Sequence, residues 1–222
     1  GRSGIRVNKS AVAIREFFTT LMHQRRKNPQ GDFLSVLIQN QERFQLSDEE
    51  VVSQAIMMLV AGQITTTDQM CNNLFSMLNE RNHLEAIKQN PDLLETALEE
   101  FNRLDPAVTF LFRVANKPVL IGEELVKKND VVFIPNHAIN RDPNVFENPN
   151  ICQLDREKNP HFAYGHGAHY CLGSKLAKMQ MLTLFTQLIH RFPNLRLDPA
   201  HPAKRKHHSL AFSGFEEMRL LV

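Results

Sequence analysis

The chain has 222 residues, of which 42% are hydrophobic and 23% charged, with a formal net charge of +2. That is the composition of a globular protein able to bury a core, as one large domain or two small ones. Acids and bases are interspersed, which excludes a nucleic-acid footprint or a polybasic membrane surface, and the one basic run, Lys204–His208, reads as a solvated loop. Cys71, Cys152 and Cys171 form neither a closed disulfide framework nor a metal knuckle, so a reducing, cytoplasmic setting is expected. No apolar run approaches membrane-spanning length, and no signal peptide precedes Ile5.

In chain order, apolar residues recur at helical spacing from Ala11 to Arg26 (Val12, Phe17, Phe18, Leu21, Met22), and Asn28-Pro29-Gln30-Gly31 stops the pattern. Asp32 is placed to cap a short helix through Leu37 and Ile38. Ser47 and Glu50 form a capping box ahead of the longest helical pattern, about Asp48 to Glu80. That helix is apolar on several faces and is expected to be buried. Gly62 in its middle costs about 1 kcal/mol relative to Ala. Thr65, Thr66 and Thr67 follow, and hydroxyls that bond back to earlier carbonyls would bend the helix there.

A shorter helix ends at Asn90-Pro91, and Asp92 is expected to cap the next, which carries Glu99, Glu100 and Arg103. Glu100 and Arg103, three residues apart, share a face flanked by Leu98, Phe101 and Leu104. Strands are expected at Val108–Val114, Val119–Gly122 and Val131–Pro135, in one small antiparallel sheet. A loop-rich stretch with Pro143, Pro149 and Pro160 follows. Ala177, Met181, Leu184, Phe185 and Leu188 then make one apolar helix face that stops near Arg191. A last strand is expected at Met218–Val222.

Between the loop-rich stretch and that last helix lies His161-Phe162-Ala163-Tyr164-Gly165-His166-Gly167-Ala168-His169-Tyr170-Cys171-Leu172-Gly173. Gly165, Gly167 and Gly173 permit positive φ and leave no side chain where a flat ligand would press on the backbone. Backbone N–H groups of such a turn, with a helix start behind it, can hold a thiolate, the form of cysteine that binds iron. Two other readings compete. A lone cysteine among hydrophobic residues is commonly a buried apolar side chain, and His161, His166, His169 and Cys171 are crowded as zinc ligands would be, although no second pair stands at a suitable spacing.

This stretch resembles the haem-binding signature of the cytochrome P-450 superfamily, with Tyr164 where the family most often has Phe. Three further stretches resemble the family in the family's order. Ala61-Gly62-Gln63-Ile64-Thr65-Thr66 is similar to the oxygen-binding bend of the central helix, with Ile64 in place of the usual acid. Glu100-Phe101-Asn102-Arg103 is similar to Glu-x-x-Arg, with Arg156 as the implied third member of a structural ion network. Arg113 stands where the family pairs a haem propionate. The resemblance covers the chain from about Ala11 to its end. It implies a mainly α fold with small antiparallel β-sheets, the C-terminal, haem-binding half of the P-450 fold, with residues 1–222 as a single haem-binding domain incomplete on its N-terminal side. Gly1-Arg2-Ser3-Gly4 reads either as an expression scar or as the point where the sequence begins.

The resemblance further implies haem b (iron protoporphyrin IX) with Cys171 as axial thiolate, propionate cations from Arg113, His161 and His169, and contacts from Tyr164, Gly165 and Gly173. A distal groove at Ala61 and Gly62 and a water organised by Thr65, Thr66 and Gln63 follow from the central helix. Met57, Met58, Val60, Phe110, Leu111, Ala211 and Phe212 are the implied substrate-lining residues. The implied activity is a haem-thiolate monooxygenase that puts one atom of O2 into an apolar or semi-polar small molecule. Its electrons would come from a ferredoxin or flavodoxin docked near Lys175 and Lys178. Rival readings are a truncated or pseudoenzyme half-domain without haem, and a haem-thiolate enzyme of non-hydroxylating oxidative chemistry.

Overall fold

The computed structural model describes residues 2–222, with side chains from Lys9 onward. It divides into two compact units whose boundary falls at Ile64 and Thr65, inside one helix. Among the described residues no helix is long and apolar enough to cross a membrane.

The first unit contains α1 (Arg2–Lys27), α2 (Phe33–Gln39) and the start of α3 (Asp48–Asn79). Met22, Leu34, Val51, Val52 and Ala55 form its core, with Phe18, Leu21, Leu37 and Ile38 packed around them. Val12 and Phe17 share the helical spacing but stay exposed. Asp32 caps α2 by accepting from Ser35 N at 2.8 Å. Arg25 Nε donates to the same carboxylate at 2.5 Å, and that bond, ahead of the capping bonds, brings the Asp32 pKa down to about 2. The capping box at α3 is closed in both directions, Ser47 N to Glu50 Oε2 at 2.7 Å and Glu50 N to Ser47 Oγ at 3.2 Å. Each bond satisfies an N–H that a helix start leaves without an intrahelical partner.

One expectation about α3, its burial, is corrected. The helix does not end at Ala61–Thr67. Nor is it buried all round, because Met57, Leu59, Val60 and Ile64 are each about half exposed while Val51, Val52 and Ala55 before them and Asn72, Asn73 and Met77 after them are buried. Apolar composition reports what a helix can bury, not which turns have something to pack against.

The second unit packs α4 (Arg81–Gln89), α5 (Leu93–Leu104), α7 (Ser174–Arg191) and the end of α3. Its core is Met77, Leu84, Ile87, Leu94, Ala97, Leu98, Phe101, Met181 and Phe185. On α7 the buried apolar residues are Met181 and Phe185, whereas Leu184, expected beside them, is exposed. Asp92 does not cap α5, since its backbone is already helical (φ −66°, ψ −20°) and its side chain accepts no capping bond.

Strands β1 (Phe110–Val114), β2 (Val119–Ile121), β3 (Glu124–Val126) and β4 (Val131–Pro135) lead to the one-turn helix α6 (Asn136–Ile139). Strands β5 (Arg196–Leu197), β6 (Lys204–Arg205), β7 (Phe215–Glu217) and β8 (Leu220–Leu221) follow α7. They form four separate antiparallel pairs, β1 with β4, β2 with β3, β5 with β8 and β6 with β7, rather than one sheet. β3 escapes the sequence pattern because Glu124-Leu125-Val126 is only three residues long and starts with a residue depleted in strands. The loop-rich stretch persists from Asn140 to His166 without a strand or helix, ahead of a 3-10 turn at Gly167–His169.

Candidate functional site

The loop from His161 to Gly173 is built by backbone bonds that aim its cysteine outward. Gly165 N donates to Phe162 O at 2.8 Å, Tyr170 N to Gly167 O at 3.0 Å and Cys171 N to Tyr164 O at 2.9 Å. The fold of this turn requires φ of +71° at Gly165 and +68° at Gly167, a region costly to any residue with a Cβ. Gly173 does not share it, for its φ is −85°. A Cβ on Gly165 would also sit 3.6 Å from Leu111 Cδ1, so β1 lies directly against the loop.

Of the three cysteines, all with free thiols, only Cys171 is exposed. Burial pushes the Cys152 thiol up to about 12, with the Glu100 carboxylate adding to it. Burial, then Asp68, raises Cys71 as well. Both therefore stay protonated at neutral pH, and Cys171 alone presents a ligating sulfur to an open face. His169, Tyr170 and Leu172 on the loop are exposed, as is Arg113 on β1. Arg113 Nη1 donates to its neighbour's carbonyl, Phe112 O, at 2.8 Å.

His161 departs from the expectation of a propionate cation. Its side chain is 4% exposed, with Nε2 3.2 Å from Glu99 Oε2. Its Nδ1 lies 3.2 Å from Ala163 N, which donates to it. Lys178, expected on a docking face, donates to the same Glu99 oxygen at 2.6 Å and lies 5.3 Å from the centre of the Tyr164 ring. Burial pushes the Glu99 carboxyl up, but hydrogen bonds from His161 and Lys178 outweigh it and the net shift is downward. The Tyr164 hydroxyl accepts from Asn102 Nδ2 at 3.3 Å. Burial, with the Glu99 charge second, holds that phenol well above its ordinary range.

Beneath the loop, Glu100 and Arg103 have no exposed side-chain surface. Arg103 grips Glu100 with two bonds of 2.7 Å, and Arg156 Nε donates to Glu100 Oε2 at 3.0 Å. Gln153 N and Asn159 Nδ2 complete the carboxylate's shell at 3.0 and 3.1 Å. Arg103 Nη1 donates onward to Asn140 O and Pro149 O, each at 2.7 Å. Asn140 ties this cluster to the cysteine loop by donating to Arg103 O at 3.0 Å and accepting from Phe162 N at 2.7 Å. Sequence reasoning missed Asn140, Asn159 and the receiving role of Glu99. Single polar residues in irregular loops carry no periodicity, so no local signal marks them.

The implied substrate-lining residues divide between the two units. Val108 and Thr109, just ahead of Phe110 and Leu111 in β1, meet the tip Leu210–Phe212, since Thr109 N donates to Ala211 O at 3.0 Å and Val108 and Phe212 form an antiparallel bridge. Met57, Met58, Val60, Ala61, Gly62 and Gln63 lie on α3 in the first unit, where all but Met58 are exposed. Thr65 and Thr66 begin the second unit and are partly buried. A Cβ on Gly62 would meet nothing within 4 Å.

A family model for cytochrome P450 matches residues 6–213. The chain belongs to the cytochrome P450 family. The biotin biosynthesis cytochrome P450 of Bacillus subtilis is 34% identical over 190 residues, 86% of this chain and 48% of that protein. Nocardicin C N-oxygenase of Nocardia uniformis is 35% identical over 188 residues, 84% of this chain and 47% of that protein. Among solved structures, P450BioI in complex with an acyl carrier protein ligated to hexadec-9Z-enoic acid superposes with a TM-score of 0.91 at 31% identity, covering 97% of this chain and 55% of that one. CYP109E1 of Bacillus megaterium with testosterone gives 0.90 at 30%, covering 96% and 59%. The chain thus spans about half the length of the P450 relatives it matches, and it has their mainly helical architecture with small antiparallel sheets.

The P450 family implies haem iron held by a cysteine thiolate, and the residues present fit that group. The one exposed thiol stands on a turn whose two positive-φ glycines keep the backbone bare, and Arg113 and His169 are exposed hydrogen-bonding side chains in the same unit.

Proposed function

We propose that this chain is the haem-thiolate portion of a monooxygenase acting on an apolar or semi-polar organic small molecule. The observation that carries the reading is Cys171, the only exposed thiol, at the mouth of the glycine turn and three residues ahead of α7. Its sulfur would ligate the iron of haem b. Arg113 and His169 would hold the propionates as charge-assisted donors, a role that the bonds of His161 to Glu99 and Ala163 leave to them. Once bound, the haem would supply the activation of O2 and the transfer of one oxygen atom, chemistry that belongs to the cofactor.

The remaining roles fall to the chain itself. Gly62, with open space around its α-carbon, would leave room for O2 on α3. Thr65, Thr66 and Gln63 would order a proton-bearing water, Gln63 orienting but unable to titrate near neutrality. Phe110, Leu111, Ala211 and Phe212 would exclude water and face substrate; Met57, Met58 and Val60 are the substrate-facing residues proposed on α3. Lys175, exposed on α7, is the cation left for an acidic ferredoxin or flavodoxin, because Lys178 is engaged by Glu99. A cytoplasmic setting that keeps the thiols reduced belongs to the same proposal.

The test is to purify the protein, reduce it under carbon monoxide and record the Soret band. The red-shifted band of a thiolate-ligated haem is expected. Its absence from the full-length gene product would instead favour a half-domain that holds no haem.

A further inference from the structure

The C-terminal hairpin of β6 and β7 carries the tip Leu210–Phe212, and three sets of bonds dock it. The first joins the tip to the segment Ala107–Thr109. Ser213 N donates to Ala107 O at 2.8 Å, Thr109 N to Ala211 O at 3.0 Å, and the Thr109 hydroxyl to Leu210 O. The second is a bracket on the segment after α5. Gln69 donates to Asp105 O at 3.0 Å and accepts from Ala107 N at 2.7 Å, while Asn72 donates to Asp105 O and Ser213 O, each at 3.2 Å. Arg205 adds bonds to Asp105 and to Ser213 Oγ.

The third set is one ion pair, Lys206 Nζ to Asp68 Oδ1 at 2.6 Å. Asp68 is 3% exposed, and its other oxygen, Oδ2, is buried with no hydrogen-bond donor among the described residues. A carboxylate in that position depends on Lys206 for its countercharge, since an unpaired buried charge is strongly unfavourable. The backbone closes the same corner, because Lys206 N donates to Gly214 O at 3.0 Å. A Cβ on Gly214 would lie 2.6 Å from Asp68 Cγ and collide with its carboxylate, so only glycine lets the loop approach α3 this closely. No other ion pair joins residues 206–214 to α3 among the described residues.

We infer that Asp68 and Lys206, packed against Gly214, form a latch that sets where Leu210–Phe212 stands relative to Phe110 and Leu111, and so act as positioning residues for substrate choice. The inference rests on the proposed monooxygenase reading for the claim that this tip faces substrate. The geometry of the latch stands apart from it. Asp68 lies three residues beyond Thr65 on α3, one turn of helix, so a shift of the tip would pull on the turn that carries the proposed water-ordering threonine. Leu210 is 87% exposed and can move when its anchor is released, whereas the Asp105–Ala107 bracket would stay in place.

The experiment compares the haem-loaded parent with Lys206→Met, Gly214→Ala and the neutral pair Asp68→Asn with Lys206→Gln. Amide hydrogen exchange at Thr109 and Ser213 reads the latch directly. Affinities for imidazole and 4-phenylimidazole, read from the Soret band, report the shape of the pocket. Lys206→Met and Gly214→Ala should each speed exchange at Ser213 by about tenfold while α7 is unchanged. They should also change the ratio of the two affinities by about threefold or more. The neutral pair, which keeps a hydrogen bond without the charges, should bring both readouts back toward the parent. Unchanged exchange in both single variants, or faster exchange spread evenly over α7, would overturn the latch. Faster exchange with an unaltered affinity ratio would overturn the specificity role. A parent without the red-shifted band would sink the monooxygenase reading, and the exchange data would still decide the latch.

Discussion

The Glu100 cluster and the Cys171 loop are joined through Asn140, yet they treat their polar atoms in opposite ways. Around Glu100 the charged side chains are buried and hydrogen-bonded. Two arginines, an asparagine and a backbone N–H converge on one carboxylate, and the donors of Arg103 continue into three loop carbonyls. Around Cys171 the thiol, His169 and Leu172 are exposed, and among the described residues the Arg113 guanidinium hydrogen-bonds its own neighbour's carbonyl alone. A carboxylate already ringed by donors cannot take on a ligand without losing bonds, so its value is to hold a strand-free loop in one shape. An open face with a ligating sulfur and cations can accept one. The difference separates residues that build the site from residues that would perform chemistry in it.

The sharpest way to break that contrast is at the sulfur. Cys171→Ala should abolish the thiolate-haem band under carbon monoxide, whereas Cys71→Ala and Cys152→Ala should leave it in place. Retention of the band without Cys171 would move the chemistry elsewhere.

Glu100→Ala tests the other side. It leaves Arg103 and Arg156 buried beside no countercharge, which costs about 3 to 5 kcal/mol. The yield of folded haem protein should fall while turnover per haem is kept, and normal yield with dead chemistry would place Glu100 among the chemical residues. The same carboxylate has a pH signature. Burial pushes its pKa up, but bonds from Arg103 and Gln153 N outweigh this and hold it below an ordinary glutamate. Its stabilising effect is therefore complete above the unfolded value of about 4.3 and is lost as pH falls through the lower folded value. Denaturant midpoints measured from pH 6 down to pH 3 should fall more steeply in the parent than in Glu100→Gln.

Smaller effects are expected on the loop itself. Gly165→Ala forces a Cβ into left-handed backbone and should cost about 1 to 2 kcal/mol, read as a lower denaturant midpoint together with reduced haem content. An unshifted midpoint would mean that the turn relaxes freely. On α3, Ile64→Asp or Ile64→Glu should raise product formed per reducing equivalent by a few-fold, well under the roughly 10² to 10⁴ that a positioned proton donor can contribute. Thr65→Ala should lower it. A parent already tightly coupled on a wholly apolar substrate, and insensitive to Thr65→Ala, would remove both residues from proton delivery.

Much of this protein is written locally, in short-range patterns of residues. Capping at Asp32 and Ser47 and the 3.6-residue periodicity of α1 and α5 depend on neighbours within four residues, and the glycine turn before Cys171 closes within seven, spans that a sequence displays directly. The pairing of Glu100 with Arg103 is legible for the same reason. Tertiary structure decided whatever depends on what comes to lie alongside. His161 and Lys178 turned to Glu99, 62 and 79 residues away along the chain, because a partly buried carboxylate draws any hydrogen-bond donor within reach. Asp92 lost its capping role to a helical backbone, and the one sheet expected of Val108–Pro135 became two strand pairs. Lys206, in a run that reads as solvated loop, found Asp68 138 residues away. A buried charge takes its partner from across the fold, and spacing along the chain carries no record of that choice.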